Sequence, residues 1–217
     1  MIILYHQYDK NNFQNLASKL IEKNFDTIEP YFPKSSDFFH EFVPLFMEIN
    51  KCLIFECFFA SVTLTNHTLE KLLKLALVYN ETGIKEVSLK DLNNHYSSAH
   101  LKYQGKNLSE TIKKCFEEGL VTEEQKDYLQ NEVRDQLRNG FSHSDPNQII
   151  DPKKEKKFYM GRDPKNPDRE LTDLKLHPKF QSQIISDIVE KMAFPYYQNV
   201  VSISLNIQDK LIEKNKS

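Results

Sequence analysis

The segment Thr68-Leu69-Glu70-Lys71-Leu72-Leu73-Lys74 decides the fold class, because its apolar residues recur at helical spacing with charged residues between them. Upstream of it, the residues around Val62 are apolar on almost every side, and no glycine interrupts the chain from 41 to 82. Such a pattern is typical of a helix that is buried in a core. We therefore predict a central buried helix over 41–82, with Phe55 and Phe58 among its core residues and Gly83 at its end.

Shorter helical patterns lie on both sides of this central helix. Residues 13–24 have the apolar spacing of a short amphipathic helix, which we expect to end before the loop 30–33. Downstream, residues 88–99 and 109–118 form two shorter segments, and the second of them stops at Gly119. These segments predict connecting helices around the central one.

A further helix begins at Glu123. Thr122-Glu123-Glu124-Gln125 has the form of a capping box, and the apolar residues Leu129 and Val133 follow at helical spacing. We expect this helix to weaken at Gly140 and to end before Asp145-Pro146, because the residue before a proline disfavours the helical conformation.

The chain closes with helical sequence from Pro178 onwards. Pro195 lies inside this sequence, and a proline removes one helical hydrogen bond. We therefore predict a break at Pro195 and a last helix through Lys214.

The predicted architecture is an all-α, up-and-down bundle of four or five main helices. Five glycines in 217 residues leave little material for hairpins, and alternating apolar and polar runs are scarce. We assign residues 1–36 to an N-terminal flank with a short helix and residues 37–217 to the helical domain. Within that domain, 147–177 has little periodicity and is interpreted as a small irregular surface insertion.

Composition narrows the classes of function. A formal net charge of -2 gives no global reason to expect polyanion binding. The three cysteines form no CxxC pair, so we expect them to be buried and reduced in a cytoplasmic protein. No apolar run reaches the length of a membrane span, and neither metal-ligand spacing nor a phosphate-binding loop is present, so we predict no metal, no cofactor and no membrane contact.

The stretch Arg138-Asn139-Gly140-Phe141-Ser142-His143 carries the candidate chemistry. The chain has only four arginines, at 134, 138, 162 and 169, and two of them lie one helical turn apart here. A guanidinium offers a planar, permanently charged fork to phosphate oxygens. An imidazole close by can exchange a proton near neutral pH. Together these groups make the stretch a candidate site for phosphate chemistry.

This stretch, at the end of a bundle helix and downstream of a long apolar helix, resembles the HEPN superfamily of small helical-bundle proteins. The resemblance covers about 40–146 and the helix after 178. It implies a metal-independent endoribonuclease in which Arg138, Asn139 and His143 act on RNA, with the site completed in a homodimer. It also implies a toxin or phage-defence effector that an antitoxin or another regulatory protein holds inactive. Where some family toxins carry a modified tyrosine two residues after the histidine, this chain has Asp145.

Basic and aromatic residues follow the motif in sequence. Cations hold phosphates and aromatic rings stack on unpaired bases, so this run is a candidate RNA-binding surface, although it also fits a solvated loop that contains its own acids. The candidate substrate-binding residues are Lys153, Lys154, Lys156, Lys157 and Tyr159.

Two other interpretations stay open. Arg138 could pair with a carboxylate such as Glu70 or Asp135, while His143 caps the end of the helix. The chain could also be a non-catalytic HEPN-like module that binds RNA, a nucleotide or a protein partner.

Overall fold

One helix, α3 (Phe58–Thr82), lies at the centre of the molecule. The computed structural model describes residues 9–33, 40–84, 87–88, 90–138 and 178–216, and this part of the chain contains helices and no strand. α3 packs against α2 (Val43–Ile54), α4 (Leu92–Gln104), α5 (Leu108–Glu117) and α7 (Pro178–Lys216). Its core-facing residues have no exposed surface: Val62, Leu69, Leu72, Leu73, Ala76 and Leu77. The all-α class predicted from the sequence is confirmed.

The prediction of one helix over 41–82 is wrong, because two helices span this stretch. α2 ends at Ile54, and Glu56 takes a positive φ of 57° before α3 begins at Phe58. A left-handed residue cannot continue a right-handed helix. Phe55 consequently lies in the connection and is 40% exposed, so the prediction that it belongs to the core is wrong. Gly83 ends α3 as predicted, with a φ of 74°.

The N-terminal helix α1 (Lys10–Ile28) is longer than the predicted 13–24 at both ends. Asp9 begins it, because its side chain accepts a hydrogen bond of 2.8 Å from the backbone N–H of Asn12. A single 3₁₀ turn, Glu29–Tyr31, follows and contains Pro30. α1 packs against α2, and Ile28 is the one fully buried residue of the helix. The boundary predicted near 36 falls at 34–39, outside the described residues.

Two capping boxes fix the starts of α5 and α6. Asn107 caps α5, and Thr122 caps α6 (Glu123–Tyr128) through the predicted exchange of hydrogen bonds with Gln125. The second box confirms the sequence assignment at this position. Gly119, with a φ of 69°, makes the turn between the two helices.

α7 is a single helix of 39 residues, so the predicted break at Pro195 is wrong. Pro195 is exposed, while Tyr196 and Tyr197 directly after it are buried. Burial of these two rings in the core favours a continuous helix at this point, and the proline itself lies on the exposed side of the helix. Tyr196 also donates a hydrogen bond of 2.7 Å to Asn66 Oδ1, which ties α7 to α3.

The three cysteines are free, as predicted, but only Cys115 is fully buried. Cys57 is exposed because it lies in the connection between α2 and α3, where the sequence pattern predicts a continuous helix. Among the described helices, none is both long enough and apolar enough to cross a membrane.

Candidate functional sites

The residues predicted to act on RNA lie at and beyond the edge of the described chain. Arg138 is the last residue of a helix, and the structure describes its backbone but not its side chain. Asn139 and His143 fall within 139–177, which is not described. The same holds for the predicted substrate-binding residues: Lys153, Lys154, Lys156, Lys157 and Tyr159. Their roles stay predictions.

The helix that leads to Arg138 is wound as a π-helix. α6 passes at Leu129 into a ten-residue π-helical stretch, Leu129–Arg138, which we call the π segment. Leu129 and Val133 have no exposed surface, and the segment packs against α3 and α5. π-helices are rare, are mostly single turns and frequently occur at functional sites. The sequence predicted the helix and its two buried residues, but not its winding.

Arg134 attaches the π segment to α5. Its Nη1 donates to Ser109 Oγ at 2.9 Å and to Gln130 Oε1 at 3.0 Å. Gln130 in turn donates from Nε2 to the backbone carbonyl of Ser109 at 3.1 Å. Arg134, half-buried in this network, therefore positions the segment four residues before Arg138.

The carboxylates proposed from the sequence as alternative partners of Arg138 are Glu70 and Asp135. Glu70 is half-buried on α3, and its Oε1 lies 3.1 Å from Lys74 Nζ. The side chain of Asp135 lies outside the description.

Neither Cys52 nor Cys115 has the lowered pKa that is typical of a nucleophilic thiol. Burial raises the pKa of Cys115 to about 12, so this thiol is protonated at neutral pH. Burial also raises the pKa of Cys52. Among the described residues, no group of three or more side chains could hold a metal ion.

A cavity of about 480 Å³, which the sequence pattern did not predict, lies between α3 and α4. α3 lines it with residues at positions i, i+3, i+4 and i+7, and α4 adds residues at i, i+3 and i+4. In the sequence, this lining corresponds to polar residues at helical spacing along one face of α3. We refer to it as the α3–α4 cavity; the described residues that line it are Phe42, His67, Glu70, Lys71, Lys74, Leu75, Val78, His100, Tyr103 and Gln104.

The cavity brings His67 and His100 to one site. They lie on different helices, so no local spacing in the sequence indicates that they meet. Both lining histidines are exposed at the surface of the cavity. A second, smaller cavity of about 180 Å³ is lined mainly by apolar residues around Tyr31, Phe46 and Val201.

Comparison with protein-family models, with curated proteins and with solved structures gives no match to this chain.

Proposed function

We propose that this chain is a metal-independent endoribonuclease of the HEPN type, with Arg138, Asn139 and His143 as its catalytic residues. The observation that carries the proposal is the winding of the π segment, which ends at Arg138. Helical winding of this kind is rare and frequently occurs at functional sites. The all-helical fold and the Arg-Asn-x3-His sequence agree with the same family.

The π winding also bears on the spacing of the motif. In an α-helix, residues five apart point about 140° away from each other, so Arg138 and His143 would not share a face. The hydrogen bond of a π-helix joins residues five apart, which brings such residues one above the other. Five is the separation of Arg138 and His143 in the sequence. The winding that reaches Arg138 is thus the one that suits this motif.

The reaction needs no metal because RNA carries its own nucleophile. His143 removes the proton of a ribose 2′-hydroxyl, and the 2′-oxygen attacks the adjacent phosphorus. The bond from phosphorus to the 5′-oxygen of the next nucleotide breaks, and an imidazolium donates a proton to that oxygen. The products are a 2′,3′-cyclic phosphate and a 5′-hydroxyl end.

Arg138 stabilises the charge that develops during this step. Negative charge builds on the non-bridging phosphate oxygens, and a guanidinium can donate two parallel hydrogen bonds to them. Asn139 orients the imidazole or donates to the same phosphate. The basic and aromatic run 153–159 holds the flanking nucleotides.

The proposed assembly is a homodimer, since each chain supplies one His143. A symmetric pair places a second imidazole at the site, so that one acts as base and the other as acid. The family resemblance adds that such a ribonuclease acts in the cytoplasm as a toxin or phage-defence effector. A protein antitoxin or regulator would control it, because Asp145 occupies the position at which some family toxins carry the modified tyrosine.

The test is cleavage of a mixed-sequence RNA by the purified chain in EDTA, with His143→Ala prepared beside it. We expect cleavage by the unchanged chain, cyclic phosphate ends, and a loss of at least 100-fold in His143→Ala, as is typical when a general acid or base is removed. His40→Ala is the matched control, because His40 is an exposed histidine before α2 whose side chain is 84% accessible.

Equal cleavage by the unchanged chain and His143→Ala would contradict the assignment. Salt-sensitive RNA binding without cleavage, unaffected by His143→Ala, would replace the enzyme with the non-catalytic module.

A further inference from the structure

The α3–α4 cavity has an excess of positive charge at its rim. Lys71, an exposed residue of α3, has no ion pair within the described chain, so its ammonium is available to a ligand. Lys74 donates to Glu70 Oε1 at 3.1 Å and to the backbone carbonyl of Gln104 at 3.0 Å. An ammonium has three N–H groups, so one remains for a ligand. Glu70 is the single carboxylate among the described lining residues.

The floor of the cavity is apolar and partly aromatic. Phe42, Val78 and Tyr103 line the cavity and are at most 4% exposed, so they form the part of its wall that is most shielded from solvent. The hydroxyl of Tyr103 donates to Glu81 Oε2 at 2.7 Å, so this residue offers its ring rather than its hydroxyl to the cavity. A flat, apolar group therefore fits the floor, and the ammonium groups lie at the rim.

Size and chemistry agree with a small-molecule site. Ligand pockets commonly have about 300 to 1,000 Å³, are lined mainly by apolar residues and contain a few polar groups that fix the ligand. The α3–α4 cavity, at about 480 Å³, falls in this range. His67 and His100 add two hydrogen-bonding rings beside the ammonium groups.

We propose that the α3–α4 cavity binds a small organic anion that consists of a planar ring with a negatively charged group at its edge. The ring packs on Phe42, Val78 and Tyr103, and the anionic group is held by Lys71 and Lys74. Nucleoside monophosphates and aromatic carboxylates share this chemistry. The inference is independent of RNA cleavage, because no residue of the cavity belongs to the proposed catalytic set.

Two matched pairs of compounds test the proposal by calorimetric titration of the full chain. AMP is compared with adenosine, and benzoate with benzamide, so that each pair differs chiefly in negative charge. We expect at least one anion to bind at least tenfold more tightly than its neutral partner. A preference within the AMP pair identifies a phosphate ligand, and a preference within the benzoate pair identifies a carboxylate ligand.

Charge reversal places the binding in this cavity. Lys71→Glu should weaken the binding of the anion at least tenfold, whereas Lys113→Glu, on α5 with a side chain 75% accessible, should leave it within twofold. Circular dichroism checks that both variants are folded. The proposal is overturned if neither pair shows a preference for the anion or if Lys71→Glu binds as the unchanged chain does. Loss of binding in His143→Ala also overturns it, because the ligand would then occupy the RNA site.

Discussion

Lys23 Nζ lies 2.6 Å from Glu56 Oε1, and this ion pair joins α1 to the left-handed residue between α2 and α3. Asn24 strengthens the junction, because its Nδ2 donates to Glu56 Oε1 at 3.2 Å and to the backbone carbonyl of Ile54 at 2.9 Å. The hydrogen bonds from Lys23 and Asn24 lower the pKa of Glu56. The junction thus holds the residue that divides the stretch 41–82 into two helices.

Replacement of Glu56 by glycine and by alanine should separate the backbone effect from the effect of the side chain. Both changes remove the same carboxylate, but only glycine adopts a φ of 57° without steric cost. We expect Glu56→Ala to be less stable than Glu56→Gly by about 1 kcal/mol, measured by urea denaturation. The reverse order, which is the order of helix propensity, would show that the left-handed conformation is not retained.

Acid should weaken the contact between α3 and α4 through Glu81. Hydrogen bonds from Lys102 at 2.6 Å and from Tyr103 at 2.7 Å lower the pKa of Glu81 below its ordinary value of 4.5. Because the pKa is lower in the folded chain than in the unfolded chain, the stabilisation is present above about pH 4.5 and is lost as the pH falls through the folded value.

The measurement is the melting temperature between pH 6 and pH 3 of the unchanged chain and of Glu81→Gln. The variant should start lower and fall less steeply with acidification. Glu124→Gln, an exposed change on α6, should follow the slope of the unchanged chain. Parallel curves for all three proteins would remove Glu81 as a source of acid sensitivity.

The Arg134 network should appear as a coupling energy between α5 and the π segment. Arg134→Lys keeps the charge but loses the Nη1 group that donates to Ser109 Oγ and Gln130 Oε1, and Ser109→Ala removes one of these two acceptors. We expect the two changes to be coupled by about 1 kcal/mol in the free energy of unfolding, obtained from the two single variants and the double variant. Additive losses would mean that the two side chains act independently.

Removal of the Tyr196 hydroxyl should destabilise the contact between α3 and α7. Tyr196 is 2% exposed, and its hydroxyl donates to Asn66 Oδ1 at 2.7 Å. Tyr196→Phe should cost about 1 to 3 kcal/mol, because it leaves the amide oxygen without this donor. Tyr96→Phe is the matched control, since no hydrogen bond to the Tyr96 hydroxyl is found among the described residues. Equal losses in the two variants would exclude a specific role for the bond to Asn66.

Local signals in the sequence predicted the helix ends that depend on local chemistry. The capping box at Thr122 and the glycine stop at Gly83 need only residues within one turn, so the sequence was sufficient there. The break at Glu56 could not be predicted in this way, because no glycine or proline lies beside Glu56 in the sequence. The residues that hold its side chain, Lys23 and Asn24, belong to another helix. Pro195 shows the opposite case, in which packing overrides a strong local signal.

The same distinction between local sequence signals and long-range packing applies to the candidate sites. Leu129 and Val133 could be placed on the buried face from their spacing, but that spacing did not indicate the π winding of the segment, which packs against α3 and α5. His67 and His100 are 33 residues apart in the sequence, so their meeting at one cavity required the packing of α4 on α3. The roles of Arg138, Asn139 and His143 rest on the sequence motif and stay predictions.

The number of residues in the π segment sets the angular position of residue 138 around the helix axis. Each residue of a helix advances the chain by a fixed angle around the axis, about 100° in an α-helix and less in the wider π-helix, so deletion of a single residue between Leu129 and Arg138 would turn position 138 by somewhat less than this angle. A substitution at the surface of the segment leaves the angle unchanged. Insertions and deletions, rather than exchanges of side chains, are therefore the changes that would redirect the chain beyond this helix.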